Sequence, residues 1–278
     1  LYIANLALVA EATPIDERPE DLELPYEEVA FAPRDWPGIV LRGWWIPATN
    51  TKGTVIRVHG IDSNKGARLG LVHAMVEDGY SVLTFDLRGH GESDKAQMGA
   101  GLHERDDVRG AIDYVLKERG AEAGSIMLHG LSYGAAIALM AAPEESAVAG
   151  VFADSAFSVL GDLIVQEVAD RTPLPTWTAA LFRPGAILMG RLFKGVDIGD
   201  VRPVDVVAQY SYPLAFVHCR NDERIPIKHL AALRNATEYA PRLTAYEQCD
   251  HADAWDDYPE HYELIMLDYF DERLGLFD

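Results

Sequence analysis

Gly130-Leu131-Ser132-Tyr133-Gly134 is the stretch whose reading decides the fold. It follows the apolar run Ser125-Ile126-Met127-Leu128-His129 and precedes a helix-forming run, Ala135-Ala136-Ile137-Ala138-Leu139-Met140-Ala141-Ala142. A G-x-S-x-G between a strand and a helix describes a nucleophile elbow. The turn is so tight that side chains beside the serine must nearly vanish, hence the two glycines. Ala135 and Ala136 then let the helix begin close against the sheet. The bend lifts the Ser132 hydroxyl out of the strand end, above the positive end of the helix dipole. Alone, the pentapeptide also fits an ordinary strand-to-helix turn with a solvated serine, so the rest of the chain must decide.

Strand and helix signals alternate on both sides of it. Tyr26–Ala32 and Ile39–Ile46 read as strands of an antiparallel hairpin, separated by the turn residues Pro33-Arg34-Asp35-Trp36-Pro37-Gly38. Thr54–Val58, Ser81–Phe85, Ala149–Ala153, Leu214–His218 and Leu243–Gln248 are further strands. Helical spacing marks Gly66–Asp78, Glu104–Arg119, Ile227–Tyr239 and Tyr258–Leu274. With the elbow strand this predicts an α/β fold, an eight-stranded, mostly parallel sheet covered by helices on both faces. The segment 155–212 has no strand signal, but carries Pro173, Pro175, Pro184 and Pro203 and the apolar pieces Ala179–Phe182 and Ala186–Phe193. So long a gap between strands is usually functional, and it is expected to form a small helical lid over the carboxyl ends of the strands. A peripheral insertion is the alternative. The expected organisation is an N-terminal segment 1–25, a core of 26–154 and 213–278, and the lid 155–212.

The chain has 278 residues, enough for one α/β domain with an insertion, and its apolar fraction of 49% is ordinary for a globular protein. A net charge of -20 argues against nucleic acid or an anionic membrane surface as partner, because both repel it. Two cysteines cannot build a disulfide framework, and neither has metal-binding spacing. No zinc, Walker or dinucleotide fingerprint occurs, so no cofactor is expected. Leu1–Ala10 is nearly all apolar but too short to span a bilayer, which takes about 20 residues. It reads as a helix packed on the domain or as the stub of a signal peptide or anchor.

A serine hydroxyl is a weak nucleophile near neutral pH and needs a base, usually His, held in one tautomer by a carboxylate. After a nucleophile elbow the expected order is Ser, then acid, then His. Asp222 lies four residues past the strand Leu214–His218, and His251 just past the last strand. Both fall in loops at carboxyl ends of strands, where open α/β sheets place their sites. Asp154, after Ala149–Ala153, is the rival acid. Asp250 and Asp253 stand too close to His251 in sequence to orient its ring. His59, His90 and His129 read as structural, and His73 and His229 belong to helices. The oxyanion donors are expected to be the backbone N–H groups of Tyr133 and of Ile61, in the loop His59-Gly60-Ile61-Asp62-Ser63.

His59-Gly60, Asp86-Leu87-Arg88-Gly89-His90-Gly91-Glu92-Ser93, the elbow, Asp222 and His251 together resemble the α/β-hydrolase superfamily, in particular bacterial lidded serine hydrolases of the esterase and peptidase kind. The resemblance runs from about Tyr26 to the C-terminus and implies that Asp86 and Arg88 brace loops around the site. Related members often carry an N-terminal membrane anchor, which strengthens the stub reading of Leu1–Ala10 and makes a membrane a partner only through such an anchor. Two departures stand out. Cys219 occupies a position that is usually Gly, and Tyr133 follows the nucleophile, as in some serine peptidases of this fold. Cys219 and Cys249 end neighbouring strands, so they are expected as two buried free thiols, with a disulfide as the alternative.

The expected activity is hydrolysis of a small-molecule carboxylic ester by Ser132, His251 and Asp222. An aminopeptidase or acylpeptide-type hydrolase is the second expectation, with Asp162, Glu167 or Asp170 as an amine anchor, and thioester cleavage shares the same triad. A non-catalytic binding protein would typically have lost a triad member. Dehalogenase and epoxide hydrolase chemistry use Asp where this chain has Ser132.

Overall fold

A computed structural model describes residues 10, 13–170, 181 and 183–276. Among the apolar stretches named above, Leu1–Ala10 lies outside these residues except for Ala10, and Ala179–Phe182 except for Leu181. Eight strands form one sheet: β1 (Glu27–Phe31), β2 (Leu41–Ile46), β3 (Gly53–Val58), β4 (Tyr80–Phe85), β5 (Ile126–Leu131), β6 (Val148–Asp154), β7 (Ala215–Cys219) and β8 (Arg242–Tyr246). Their spatial order is β1-β2-β4-β3-β5-β6-β7-β8. β1 pairs antiparallel with β2, and β2 antiparallel with β4. Every pairing from β4 through β3 to β8 is parallel.

Helices cover both faces, because the central strands are apolar on both. Along β5, Ile126 and Leu128 join the core beneath α2 (Glu104–Glu118) and α3 (Tyr133–Ala141), whereas Met127 joins the opposite one. That second core lies beneath α1 (Leu69–Glu77) and the C-terminal helix Pro259–Arg273. Every residue of α3 is buried, which is why this helix is built from Ala, Ile, Leu and Met with no polar face.

The insertion between β6 and β7 contains no strand among its described residues. It holds α4 (Leu160–Asp170), which the sequence reading did not single out, and α5 (Arg183–Lys194), which extends the expected piece Ala186–Phe193. Leu160 and Val204 donate backbone hydrogen bonds to Val201 and Ser158, and the Tyr210 hydroxyl donates to the Leu139 carbonyl of α3. Three helix limits differ from expectation. α1 starts at Leu69, three residues after Gly66, because Arg68 before it is left-handed. α6 (Lys228–Ala236) stops three residues short of Tyr239, where Thr237 turns extended. The last segment breaks into one turn, Ala254–Asp257, and then α7 (Pro259–Arg273), because Pro259 cannot continue a helix but starts one well.

Candidate active site

The elbow is built by close approach. A Cβ on Gly134 would lie 2.2 Å from the Val58 carbonyl oxygen and 2.4 Å from that of His59, so only glycine lets α3 start against the end of β3. Ser132 has φ 54° and ψ -113°, a conformation that costs about 1–3 kcal/mol and persists only where surrounding structure enforces it. Here β3 and β6 flank β5, and the Ser132 N–H donates to the Asp154 carbonyl at 2.8 Å.

Ser132, His251 and Asp222 come together. Ser132 Oγ lies 2.7 Å from His251 Nε2, and His251 Nδ1 lies 2.7 Å from Asp222 Oδ2. Asp222 is buried, and its other oxygen accepts the Ile225 N–H at 2.7 Å. Beneath that turn, His218 Nε2 donates to the Ile225 carbonyl at 2.7 Å. A carbonyl only accepts, so His218 carries its proton on Nε2, and burial depresses its pKa and keeps it neutral.

Asp154 is not the acid that meets His251. Its carboxylate accepts the Ser155 hydroxyl at 2.9 Å and the Tyr262 hydroxyl at 3.1 Å, and complete burial pushes its pKa up to about 6. Tyr262 in turn pairs with His129 Nε2 at 2.9 Å, so His129 packs under the elbow as the sequence suggests. Asp253 faces Arg68 at 3.1 Å, tying the His251 loop to the start of α1.

The two expected oxyanion donors lie in the loop after β3 and at the start of α3, after β5. Among the described residues, neither the Ile61 nor the Tyr133 N–H donates to a protein acceptor. Tyr133 is the first residue of α3, where amides lack intrahelical partners. His59 fixes the other peptide. Its Nε2 accepts the Leu87 N–H at 3.1 Å, which leaves the proton on Nδ1 to meet the Gly60 carbonyl at 2.7 Å. Pinning that carbonyl directs the Ile61 N–H of the same trans peptide the opposite way. Burial lowers the His59 pKa to about 3, so it holds this role as a neutral ring.

The Tyr133 side chain, the peptidase-like feature of the elbow, is buried in the core beside the Glu104 carboxylate. One expectation needs correction. Cys219 and Cys249 are not free thiols but form a disulfide, Cα–Cα 5.3 Å. Cys219 is in register with Tyr246, and the chain folds back over the end of β8 to bring Cys249 to it. Sequence reasoning also missed His218 and Arg68, whose roles depend on register between elements far apart in the chain.

Beside Asp222 an open cavity of about 550 Å³ is lined by Gln166, Arg220, Asn221, Glu223 and Pro226. Gln166 of α4 reaches the Glu223 carbonyl at 3.0 Å, so the insertion borders the acid loop. Asp162 lies on the same helix, while the side chains of Glu167 and Asp170 lie outside the described ones. Among the described residues no group of His, Cys, Asp or Glu side chains is arranged to hold a metal ion, and no helix is long and apolar enough to cross a membrane.

Comparison with known proteins agrees with this fold. Residues 49–196 match the family model described as serine aminopeptidase, S33. The uncharacterized protein YqkD of Bacillus subtilis is 26% identical over 247 residues, spanning 88% of this chain and 80% of that protein. Among solved structures, the Pyrococcus furiosus esterase Pf2001 superposes with a TM-score of 0.77 at 22% identity, covering 96% of this chain and 97% of its own. The Pyrococcus horikoshii acylaminoacyl peptidase gives a TM-score of 0.66 at 16% identity, over 93% of this chain but 43% of its own.

Proposed function

The chain belongs to the family described as serine aminopeptidase, S33, within the α/β-hydrolase superfamily, and from that premise we propose that it hydrolyses carboxylic esters through an acyl-enzyme on Ser132. The observation that carries this is the unbroken hydrogen-bond chain from Ser132 Oγ through His251 to the buried Asp222. As Ser132 Oγ attacks the ester carbonyl, its proton passes to His251 Nε2. Asp222 keeps the other ring proton on Nδ1 and stabilises the imidazolium. The Ile61 and Tyr133 amides receive the oxyanion, and the strained Ser132 backbone holds the nucleophile where those amides converge. His251 then protonates the departing alkoxide. Water, deprotonated by the same nitrogen, releases the carboxylic acid and restores Ser132. The helices of 155–212 act as a lid, with Gln166 beside the acid loop as their point of contact.

Ester cleavage is favoured over peptide cleavage by the end-to-end match to the esterase Pf2001, whereas the acylaminoacyl peptidase extends well beyond the matched part. Tyr133, the sequence feature suggestive of peptidases, lies buried. The test is a panel of p-nitrophenyl esters of increasing chain length run beside aminoacyl-anilides. Turnover of the esters, lost in a folded Ser132→Ala variant, is the expected result. Undiminished activity in that variant, or faster cleavage of the anilides, refutes it.

A further inference from the structure

The acid and base of this site leave the sheet from unequal supports. Asp222 follows β7, which has strands on both sides, and its loop is held by the Ile225 amide and by His218. His251 follows β8, the edge strand, whose first four residues are exposed or half-buried. The His251 loop has a few ties of its own, including Arg68 to Asp253 and the Tyr258 hydroxyl to the Gln248 carbonyl at 3.1 Å. The remaining tie is covalent. Cys219 stands three residues before Asp222, and Cys249 two residues before His251.

We propose that the Cys219–Cys249 disulfide is a positioning element of the active site, holding His251 against Asp222, and that the oxidised chain is the catalytically competent form. This rests on the hydrolase reading of Ser132, His251 and Asp222. The bond closes a short circuit from base to acid: His251, Cys249, Cys219, Asp222, and back through the 2.7 Å hydrogen bond. Opening it leaves the edge loop to that hydrogen bond and to the side-chain ties at Asp253 and Gln248, and an imidazole displaced by about 1 Å costs on the order of 100-fold in rate. Both cysteines are buried in the core that also holds Val217, Tyr246 and Tyr262, where two thiols pack as small apolar groups, so the fold survives reduction. Dithiothreitol supplies two electrons and two protons, closing to its own cyclic disulfide and leaving Cys219 and Cys249 as thiols.

The test uses the full chain, with thiols counted after a denaturing quench. Fully reduced protein and the Cys219→Ala/Cys249→Ala variant are expected to lose at least tenfold in kcat with KM within about twofold. Labelling of Ser132 by a fluorophosphonate slows by the same factor, and reoxidation restores the wild type. Three results overturn the proposal: reduced protein whose kcat stays within twofold, loss of activity that tracks loss of folded circular dichroism, or isolated protein with two free thiols and full activity. The His251 Nδ1 proton gives a readout independent of turnover, as a downfield resonance expected to broaden on reduction. Oxidised protein that shows this resonance but neither cleaves esters nor labels refutes the hydrolase reading instead. A resonance unchanged by reduction refutes the positioning role.

Discussion

Asp222→Asn separates the acid assignment from its rival through hydrogen-bond arithmetic. Asp222 presents two acceptors to two donors, His251 Nδ1 and the Ile225 amide, each at 2.7 Å. Asparagine keeps one acceptor and turns the other into a donor, so one of the two contacts must become donor against donor. The Ile225 amide cannot yield, and leaving it buried and unpaired would cost about 1–3 kcal/mol. The imidazole can yield, by moving its proton from Nδ1 to Nε2. The asparagine oxygen therefore stays on Ile225, its amide nitrogen faces His251, and Nε2 now donates to Ser132 Oγ instead of accepting from it. A base in the wrong tautomer loses roughly 10⁴-fold in kcat, or about 5.4 kcal/mol of transition-state stabilisation. Initial rates on p-nitrophenyl acetate should show that fall with KM little changed, and thermal unfolding should confirm a folded variant. Retention of more than a tenth of wild-type kcat would refute the reasoning, as would an equal fall in Asp154→Asn.

Two further outcomes follow from the geometry. Gly134→Ala drives a methyl into the carbonyls of Val58 and His59, both backbone, so strand and helix must separate. Overpacking of this kind costs about 1–3 kcal/mol, and calorimetry should show a lowered Tm together with reduced kcat, whereas an unchanged Tm would mean the elbow is not tightly packed. Asp154 has its pKa raised by burial from 3.8 to about 6, so between those values the folded chain holds a proton the unfolded chain has released. Stability from this group is complete below the lower value and is lost as pH rises through the upper one, a difference of about 3 kcal/mol by pH 7. Asp154→Asn removes that slope while keeping partners for Ser155 and Tyr262. Its Tm relative to wild type should therefore climb from pH 4 to pH 7, and parallel pH curves would contradict the buried, protonated reading.

The elements nearest the chemistry are legible in the sequence because their signals are local. Gly130 and Gly134, the apolar run before them and the alanines after them are all dictated within a dozen residues. The eight strands are equally plain, since buried strands such as β3 and β4 are rich in β-branched and aromatic residues. The choice of Asp222 over Asp154 was readable only as a preference. It depends on which strand end the His251 loop overhangs, and that is set by the β7–β8 pairing. The Cys219–Cys249 bond hides for the same reason, because the strand register puts Tyr246, not Cys249, beside Cys219. For Tyr133, its place next to the nucleophile fixes its amide but not its side chain, which the first turn of α3 sends into the core. The helix Leu160–Asp170 went unmarked beside the proline-rich stretch that follows it.

These differences trace to position in the sheet. Ser132 sits in a strained backbone at the end of a strand with parallel neighbours on both sides, and its own N–H is held by the strand next to it. Strain of about 1–3 kcal/mol is tolerable there because many contacts determine the position at once. His251 has no such surroundings, since it leaves the edge strand and, among the described residues, no strand pairs beyond it. A hydrogen bond to a charged group contributes about 1.5–3 kcal/mol, little by itself to confine a loop to the sub-ångström range that proton transfer demands. The site therefore combines a nucleophile placed by the centre of the fold with a base placed by side-chain ties at its margin. Arg68 grips Asp253 from one side, and the disulfide anchors Cys249 to β7 on the other. On the proposed mechanism, an imidazole that takes a proton from Ser132 and returns it to a leaving group needs freedom to shift slightly. Anchoring its loop two residues away, rather than the ring itself, leaves that freedom intact.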